Sequence, residues 1–408
     1  MKPAFAGGHH LGALVTRIAA VLAVMALTAC TGFNFGPNVT TRTVGTGLQP
    51  TDQQLPAAAG EPIGNGPVRV ALLLPVTGDL ANVGISMANG ARLAMNFIQS
   101  SPNVGQNITL VLKDTRGDAT IAGQVASEAV REGASLILGP LRAESVRAAG
   151  AIARSSGTTL IGFSNNSGAA SPGVYLLNVL PEGEVRRSLS YAKSQGRQAF
   201  AAIVPNTAFG QIQGGAFRQA VADLGLNAKA VYTFSNETEA RQAVEQVAPL
   251  IQSGQIDAVF LPDRATAPSF GSLFESTGIV RTSITIVGSA DWNNDPAIAQ
   301  NQFLVGAVYP AIDEAGMQAL LPDYQRTFGG AVPHPFATIA YTATLLANSS
   351  ALSQSTPKYD QTQLTRPSGF NGRDGLFRFL PDGRSEYALT IKQVVPGGAS
   401  VVDAAKLP

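Results

Sequence analysis

A chain of 408 residues with a formal net charge of +1 and only 13% charged residues lacks the basic surface that nucleic-acid binding requires. Its length exceeds what one hydrophobic core usually organises, so two domains or lobes are expected. An apolar fraction of 45% is enough to fill both. With one cysteine, Cys30, no intrachain disulfide can form, and with three histidines, two of them His9 and His10, a His/Cys metal cluster is excluded.

Lys2 and Arg17 precede an apolar run, 18–26, of signal-peptide rather than membrane-spanning length. The run ends in Leu27-Thr28-Ala29-Cys30. This resembles the bacterial lipobox, in which a small residue precedes a cysteine that takes a diacylglyceryl group before the leader is cleaved. Residues 1–29 are therefore read as a lipoprotein signal peptide and Cys30 as the lipidation site. A lone thiol exported to an oxidising compartment is a liability unless its chemistry is used. The segment from 31 to 67 is rich in Gly, Pro, Thr, Gln and Asn with no apolar period, and reads with Cys30 as a disordered, lipidated tether, 30–67. No later run reaches bilayer-spanning length, so the membrane is met through the lipid anchor only.

The folded body opens with Val68-Arg69-Val70-Ala71-Leu72-Leu73-Leu74-Pro75, a strand-length run stopped by proline. Continuous rather than alternating hydrophobicity predicts a strand covered on both faces. Ala88, Ala91, Met95 and Ile98 then recur at helical spacing within 84–100. Strands are predicted at 108–114, 135–139 and 158–163, and helices at 119–132 and 142–155. A second series follows 174–180: helix 182–195, strand 199–204, helix 211–225, strand 227–233, helix 238–253, strand 257–261, helix 265–277 and strand 283–288. A strand at 304–309 leads into helices at 314–328 and 335–350. This alternation with short connections implies α/β architecture with parallel sheets between helices. The tail differs in kind: 375–380, a Pro381-Asp382-Gly383 turn and 387–395 predict a β-hairpin.

The catalytic inventory is thin. His334 stands between Pro333 and Pro335, where it suits a turn, and no Walker loop or Gly-x-Ser-x-Gly elbow is present. The pairs Glu237/Glu239 and Asp291/Asp295 read as helix N-terminal charges, which the helix dipole favours. No enzyme, cofactor or metal is expected. A binding role does have residues. In open α/β sheets, ligands sit at the carboxyl ends of the strands. The loops there, 75–84, 139–145 and 163–167, are rich in small hydroxyl and amide residues, which suit helix capping and contact with a polar ligand equally.

At these loops the sequence resembles the type I periplasmic binding proteins of the leucine/isoleucine/valine-binding family. The opening Pro75-Val76-Thr77-Gly78 with Ala81 and Gly84, the Asn89-Gly90-Ala91-Arg92-Leu93-Ala94 helix, Gly139-Pro140, Phe209-Gly210 and the terminal Gly372, Gly375, Phe377 and Asp382-Gly383 carry the resemblance over about 68–400. It implies two Rossmann-like lobes joined by a three-crossing hinge, with a ligand in the cleft between them. By that analogy the first lobe holds 68–178 plus 307–360 and the second 179–306 plus 361–408. Ligand contacts are implied at Thr77 and Gly78, at Arg142 and Ala143, and at Ser164, Asn165 and Asn166. The second lobe would supply Phe209, Arg264 and Asp291 or its neighbour Trp292. Asp291 would pair with a ligand ammonium, while Ser164 and Asn166 would take its carboxylate. Ala143 replaces a frequent serine, and Phe209 a frequent tyrosine.

A second resemblance, Leu72-Leu73-Leu74-Pro75 with Gly78 and Leu138-Gly139-Pro140-Leu141-Arg142, is to lipoprotein activators of penicillin-binding proteins. Tether, anchor and altered loops favour this reading. The expected partner is then a peptidoglycan synthase, and the location the periplasmic face of the envelope, at the outer membrane in a Gram-negative cell. The alternative is a substrate-binding protein for an amino acid or similar small polar solute, partnered by an ABC permease.

Overall fold

The computed structural model describes residues 57–407. The predicted signal peptide, Cys30 and the tether up to residue 56 lie outside the described residues. The first lobe is built from Glu61–Ile63 (β1), Val68–Leu74 (β2), Ala81–Ser100 (α1), Ile108–Asp114 (β3), Ala119–Arg131 (α2), Leu136–Leu138 (β4), Ala143–Ser156 (α3), Thr159–Gly162 (β5) and Val174–Leu176 (β6). Its sheet runs β1-β3-β2-β4-β5-β6. All pairs are parallel except β1 with β3. In β2 every residue but Arg69 is buried, as the unbroken apolar run requires for a central strand covered by helices on both faces.

β1 falls inside the stretch read as tether, so order begins earlier than expected. Three residues are too few to show a period, yet β3 would otherwise be a bare edge. The entry is also clamped electrostatically. The nearly buried Lys113 ammonium donates to the Ala59 carbonyl at 2.5 Å and pairs with Glu128 at 2.8 Å and Glu132 at 2.9 Å.

The second lobe follows as Pro181–Ser194 (α4), Ala199–Pro205 (β7), Ala208–Asp223 (α5), Asn227–Phe234 (β8), Glu237–Gln252 (α6), Ala258–Phe260 (β9), Ala267–Ser276 (α7), Thr285–Val287 (β10), Pro296–Gln300 (α8) and Val308–Ala311 (β11). Its parallel core, β8-β7-β9-β10-β11, repeats the order β3-β2-β4-β5-β6 of the first lobe. The repeat extends to packing. A Cβ on Gly84 would lie 2.1 Å from the Pro75 carbonyl oxygen, and one on Gly210 would lie 1.8 Å from that of Pro205. In each lobe, the helix after the first strand sits so close to the strand-ending proline that only glycine fits.

Two lobe boundaries differ from expectation. β11 pairs with β10 and with a later strand, so it belongs to the second sheet and the chain returns to the first lobe at 312–314 rather than 307. There Ala315–Thr327 (α9) and Ala337–Asn348 (α10) pack on α1. The three strands that follow, Phe370–Gly372 (β12), Gly375–Phe379 (β13) and Ser385–Tyr387 (β14), form a small antiparallel sheet. Phe370, Phe377, Phe379 and Tyr387 bury themselves in the first lobe's core beside Tyr175, not in the second lobe. The predicted hairpin is present as β13–β14 around Pro381-Asp382-Gly383, but its second arm stops at Tyr387. After Ala388 the chain crosses again: Leu389–Val395 (β15) adds antiparallel to β11, and Gly398–Lys406 (β16) adds antiparallel to β15 at the sheet edge. Apolar residues alternate through Tyr387, Leu389 and Ile391, straight across the crossing, so the sequence showed no sign of it.

The crossings at 177–180, 312–314 and 388 are tied together. Asn178 donates to the Phe163 carbonyl at 2.8 Å, and Ser385 donates to the Asn178 carbonyl at 2.6 Å. Glu314 accepts from Asn293 and Asn294 and lies 3.5 Å from Lys392. Burial opposes its ionisation, but these partners outweigh that and hold its carboxyl below the usual range.

Gly210→Ala is expected to lower stability by about 1–3 kcal/mol through forced backbone movement. Gly215→Ala on the same helix, where a Cβ meets nothing within 4 Å, should raise it by up to about 1 kcal/mol through helix propensity. Paired denaturant melts of the two variants check both signs.

Candidate ligand-binding cleft

Between the lobes lies a cavity of about 360 Å³, within the range of small-molecule sites. The first lobe contributes Asn165 after β5 and Phe336 ahead of α10. The crossings contribute Asn178, Val179 and Ile312. From the second lobe come Pro181 and Glu184 of α4, one face of α5, and Ser289 to Asp291 with Asn293 after β10. The α5 face is Phe209, Ile212 and Gln213, spaced i, i+3, i+4 as neighbours on a helix must be.

Of the residues implied by resemblance, the cavity brings together Asn165, Phe209 and Asp291. The others do not line it. The Thr77 hydroxyl donates to Asp114 at 2.5 Å, while the backbone N–H groups of Val76, Thr77 and Arg116 point at the same carboxylate. Burial opposes the charge on Asp114, but these four bonds outweigh it and keep the carboxyl below its ordinary range. Thr77 and Gly78, whose φ is +81°, thus fold the opening loop onto β3. Arg142 is exposed at the N-terminus of α3, and Ala143 is that helix's first residue. Ser164 is buried and accepts from the Asn166 N–H at 3.1 Å, while the Asn166 side chain accepts from the Gly168 N–H at 3.0 Å. Both are engaged in shaping their own turn. Trp292 is 1% exposed and points into the second lobe's core against Tyr309. Gly288 has no Cβ because one would sit 2.4 Å from that indole. Arg264 backs Asp291: its N–H donates at 3.1 Å, and its exposed guanidinium lies 3.7 Å away.

Glu184 was not anticipated. At the fourth position of α4, it looked like an ordinary N-terminal acid. In the fold it sits in the cleft, where burial first and the Asp291 charge second push its carboxyl up to about 7. The Ala290 N–H and the Gln213 amide donate to it and oppose the rise, while Glu182 adds to it. Gln213, 2% exposed, has no partner for its Oε1. Its position four residues after Phe209 was a usable signal, because helical spacing alone puts the two on one face. Glu184 offered no such signal. A larger hollow of about 750 Å³ lies between α6 and α7, but it belongs to the second lobe alone.

The sequence profile described as periplasmic binding protein matches residues 67–369, well over half of the chain. The chain belongs to the type I periplasmic binding protein family. This is a family of substrate-binding proteins, and membership implies an extracytoplasmic location. Among the described residues, no helix is long and apolar enough to cross a membrane. Solved structures share the fold at low identity. One from Rhodospirillum rubrum, put forward as a branched-chain amino acid ABC transporter, superposes with a TM-score of 0.70 at 21% identity, over 82% of this chain and 99% of that one. An ABC transporter substrate-binding protein from Desulfitobacterium hafniense in complex with Leu gives 0.56 at 17%, over 82% and 99%. A solute-binding protein from R. palustris in complex with benzoate gives 0.54 at 17%, over 84% and 98%. No curated protein sequence matches the chain.

The raised Glu184 carboxyl has a consequence for stability. Between its unfolded value near 4.5 and its folded value of about 7, the folded state binds the extra proton, so this group's contribution to stability falls as pH rises through that window. Glu184→Gln should therefore match wild type near pH 4.5 and exceed it above pH 7 by about 2 kcal/mol, after discounting for partial exposure. Asp374, pushed up to about 6 by burial, tilts both proteins equally. The difference between their melting curves across pH isolates Glu184.

Proposed function

We propose that the protein is the substrate-binding component of an ABC importer, non-catalytic, which closes its lobes on a small polar solute and is held in the cell envelope through lipidated Cys30. The observation that carries this reading is the cavity between the lobes, floored by Glu184, Gln213 and Asp291 and walled by Phe209 and Phe336. Convergent polar groups set beside apolar and aromatic walls are what a small-molecule site requires. Structural relatives described as transporter components or solute-binding proteins support the same reading. The regulator of cell-wall synthesis, placed first from sequence, becomes second. Its support is the anchor, the tether and the altered loop residues Ala143, Asn165 and Phe209, of which Asn165 and Phe209 line a cavity that can still take a solute.

Three crossings make a hinge, and a permease that reads a closed form requires the ligand to shift an open–closed equilibrium. Small-angle scattering of the full-length Cys30→Ser chain, with and without a pool of amino acids, amines and small organic acids, should show a ligand-dependent fall in radius of gyration. Phe209→Ala should raise the ligand concentration at half-effect by about tenfold or more, from lost aromatic contact. An unchanged radius with every pool member, and no heat of binding by calorimetry, would return the regulator to first place.

A further inference from the structure

The hydrogen-bond inventory of the cleft is lopsided. Apart from Asn165 at the rim, its side-chain donors are engaged within the protein. Asn178 donates to the Phe163 carbonyl, Ser289 to the Pro262 carbonyl at 2.6 Å, Asn293 to Glu314, and the Gln213 amide to Glu184. What remains unmet is acceptor capacity: two carboxylates, Glu184 and Asp291, and the Gln213 Oε1, buried and unpartnered. No Lys or Arg lines the cavity. Arg264 stands behind Asp291 with its guanidinium largely in solvent. Ser164 and Asn166, which would have received a ligand carboxylate, are turned into their own loop, leaving the exposed Asn165 amide at the rim. Phe209 and Phe336 provide apolar walls, and aromatic faces attract cations.

We propose that the cleft selects an organic cation bearing N–H donors and an apolar body over a zwitterionic amino acid, with Glu184, Asp291 and the Gln213 Oε1 receiving the donors. This rests on the solute-binding reading above and names its substrate class. A buried acceptor with no partner is costly, and an ammonium satisfies several acceptors at once. The second acid distinguishes the site, because a zwitterion needs one carboxylate and a donor set opposite it. The raised carboxyl of Glu184 fits a site that lacks its counter-charge, since a bound cation would restore ionisation and expel the proton. The charged groups around Glu184 are Glu182 on its own helix and Asp291 and Arg264 from the loops after β10 and β9. Arg187, one turn along α4, is held by the Leu389 carbonyl and Asp403.

The test is calorimetry on the full chain with four amines, isoamylamine, phenethylamine, putrescine and agmatine, each against the amino acid from which decarboxylation derives it: leucine, phenylalanine, ornithine and arginine. At pH 8 at least one amine should bind tenfold or more tightly than its parent amino acid. Amine affinity should fall by up to about tenfold from pH 8 to pH 6, with close to one proton released at pH 6 as measured in two buffers of different ionisation heat. Simple alkylamines stay charged throughout that range. Glu184→Gln should weaken the amine at least tenfold and abolish both the pH dependence and the proton release, which a merely structural role for Glu184 would leave in place. Amino acids binding as tightly as their amines, or amine affinity and proton release unchanged in Glu184→Gln, would overturn the inference while leaving the solute-binding reading intact. No binding by either series or by the wider pool would overturn both.

Discussion

Arg187 is the contact that closes the second lobe, tying the helix that opens it to the strands that complete it. The residue is 5% exposed, and its guanidinium donates to the Leu389 carbonyl at 2.9 Å, to Asp403 at 2.8 Å and to the Ala404 carbonyl at 3.0 Å. Leu389 is the first residue after the third crossing, so one side chain of α4 holds the returning strand against the helix that begins at the first. Asp403 is partly exposed, so the cost of leaving the Arg187 charge without it falls below the roughly 3–5 kcal/mol of a fully buried pair. Glu184 sits three residues earlier on the same helix, so the contact that anchors α4 to the returning strands also sets the height of the carboxylate in the cleft. The site and the anchor of the returning strand are set one turn apart on α4.

The same helix order in both lobes follows from one local constraint. Each series begins with a strand ended by proline, and each following helix presses a glycine against that proline's carbonyl. The close approach sets where the helix N-terminus stands relative to the sheet, and therefore where the binding loops open. Because the parallel cores repeat the same strand order, the carboxyl ends of both strand sets border one cleft, with polar loop residues contributed by each lobe.

Continuous burial was easy to read in the sequence. β2, β3 and the stripe of α6 match their patterns within a residue or two, because an unbroken apolar run or a clean 3.6-residue period has one stable solution. Elements whose reason lies elsewhere in the chain could not be read. β1 exists to cover β3, and the break at Ala388 exists because Tyr387 stacks on Phe377 at 5.3 Å in one lobe while Ile391 fills the core of the other. The site was legible in proportion to how local its determinants are. Asn165, Phe209 and Asp291 sit on loops or helix starts that resemblance alone could mark, and Gln213 follows from Phe209 by helical spacing. Glu184 becomes special only through the tertiary approach of Asp291 and Gln213, and Trp292 leaves the site because Gly288 makes room for it in the core.

The cleft is where physical chemistry separates the two functional readings. A surface kept only to dock a partner has no need of unmet acceptors and a carboxyl pushed toward neutrality in an interior hollow, features that destabilise the free protein. They are retained at little cost if a solute completes them. Native mass spectrometry of the full chain, purified gently from its own envelope, tests this most directly. The account predicts a fraction carrying the added mass of one small molecule, released on mild activation and missing from a Phe209→Ala, Gln213→Leu double variant. A protein mass without adduct under every gentle condition, or an adduct that persists in the double variant, would contradict it.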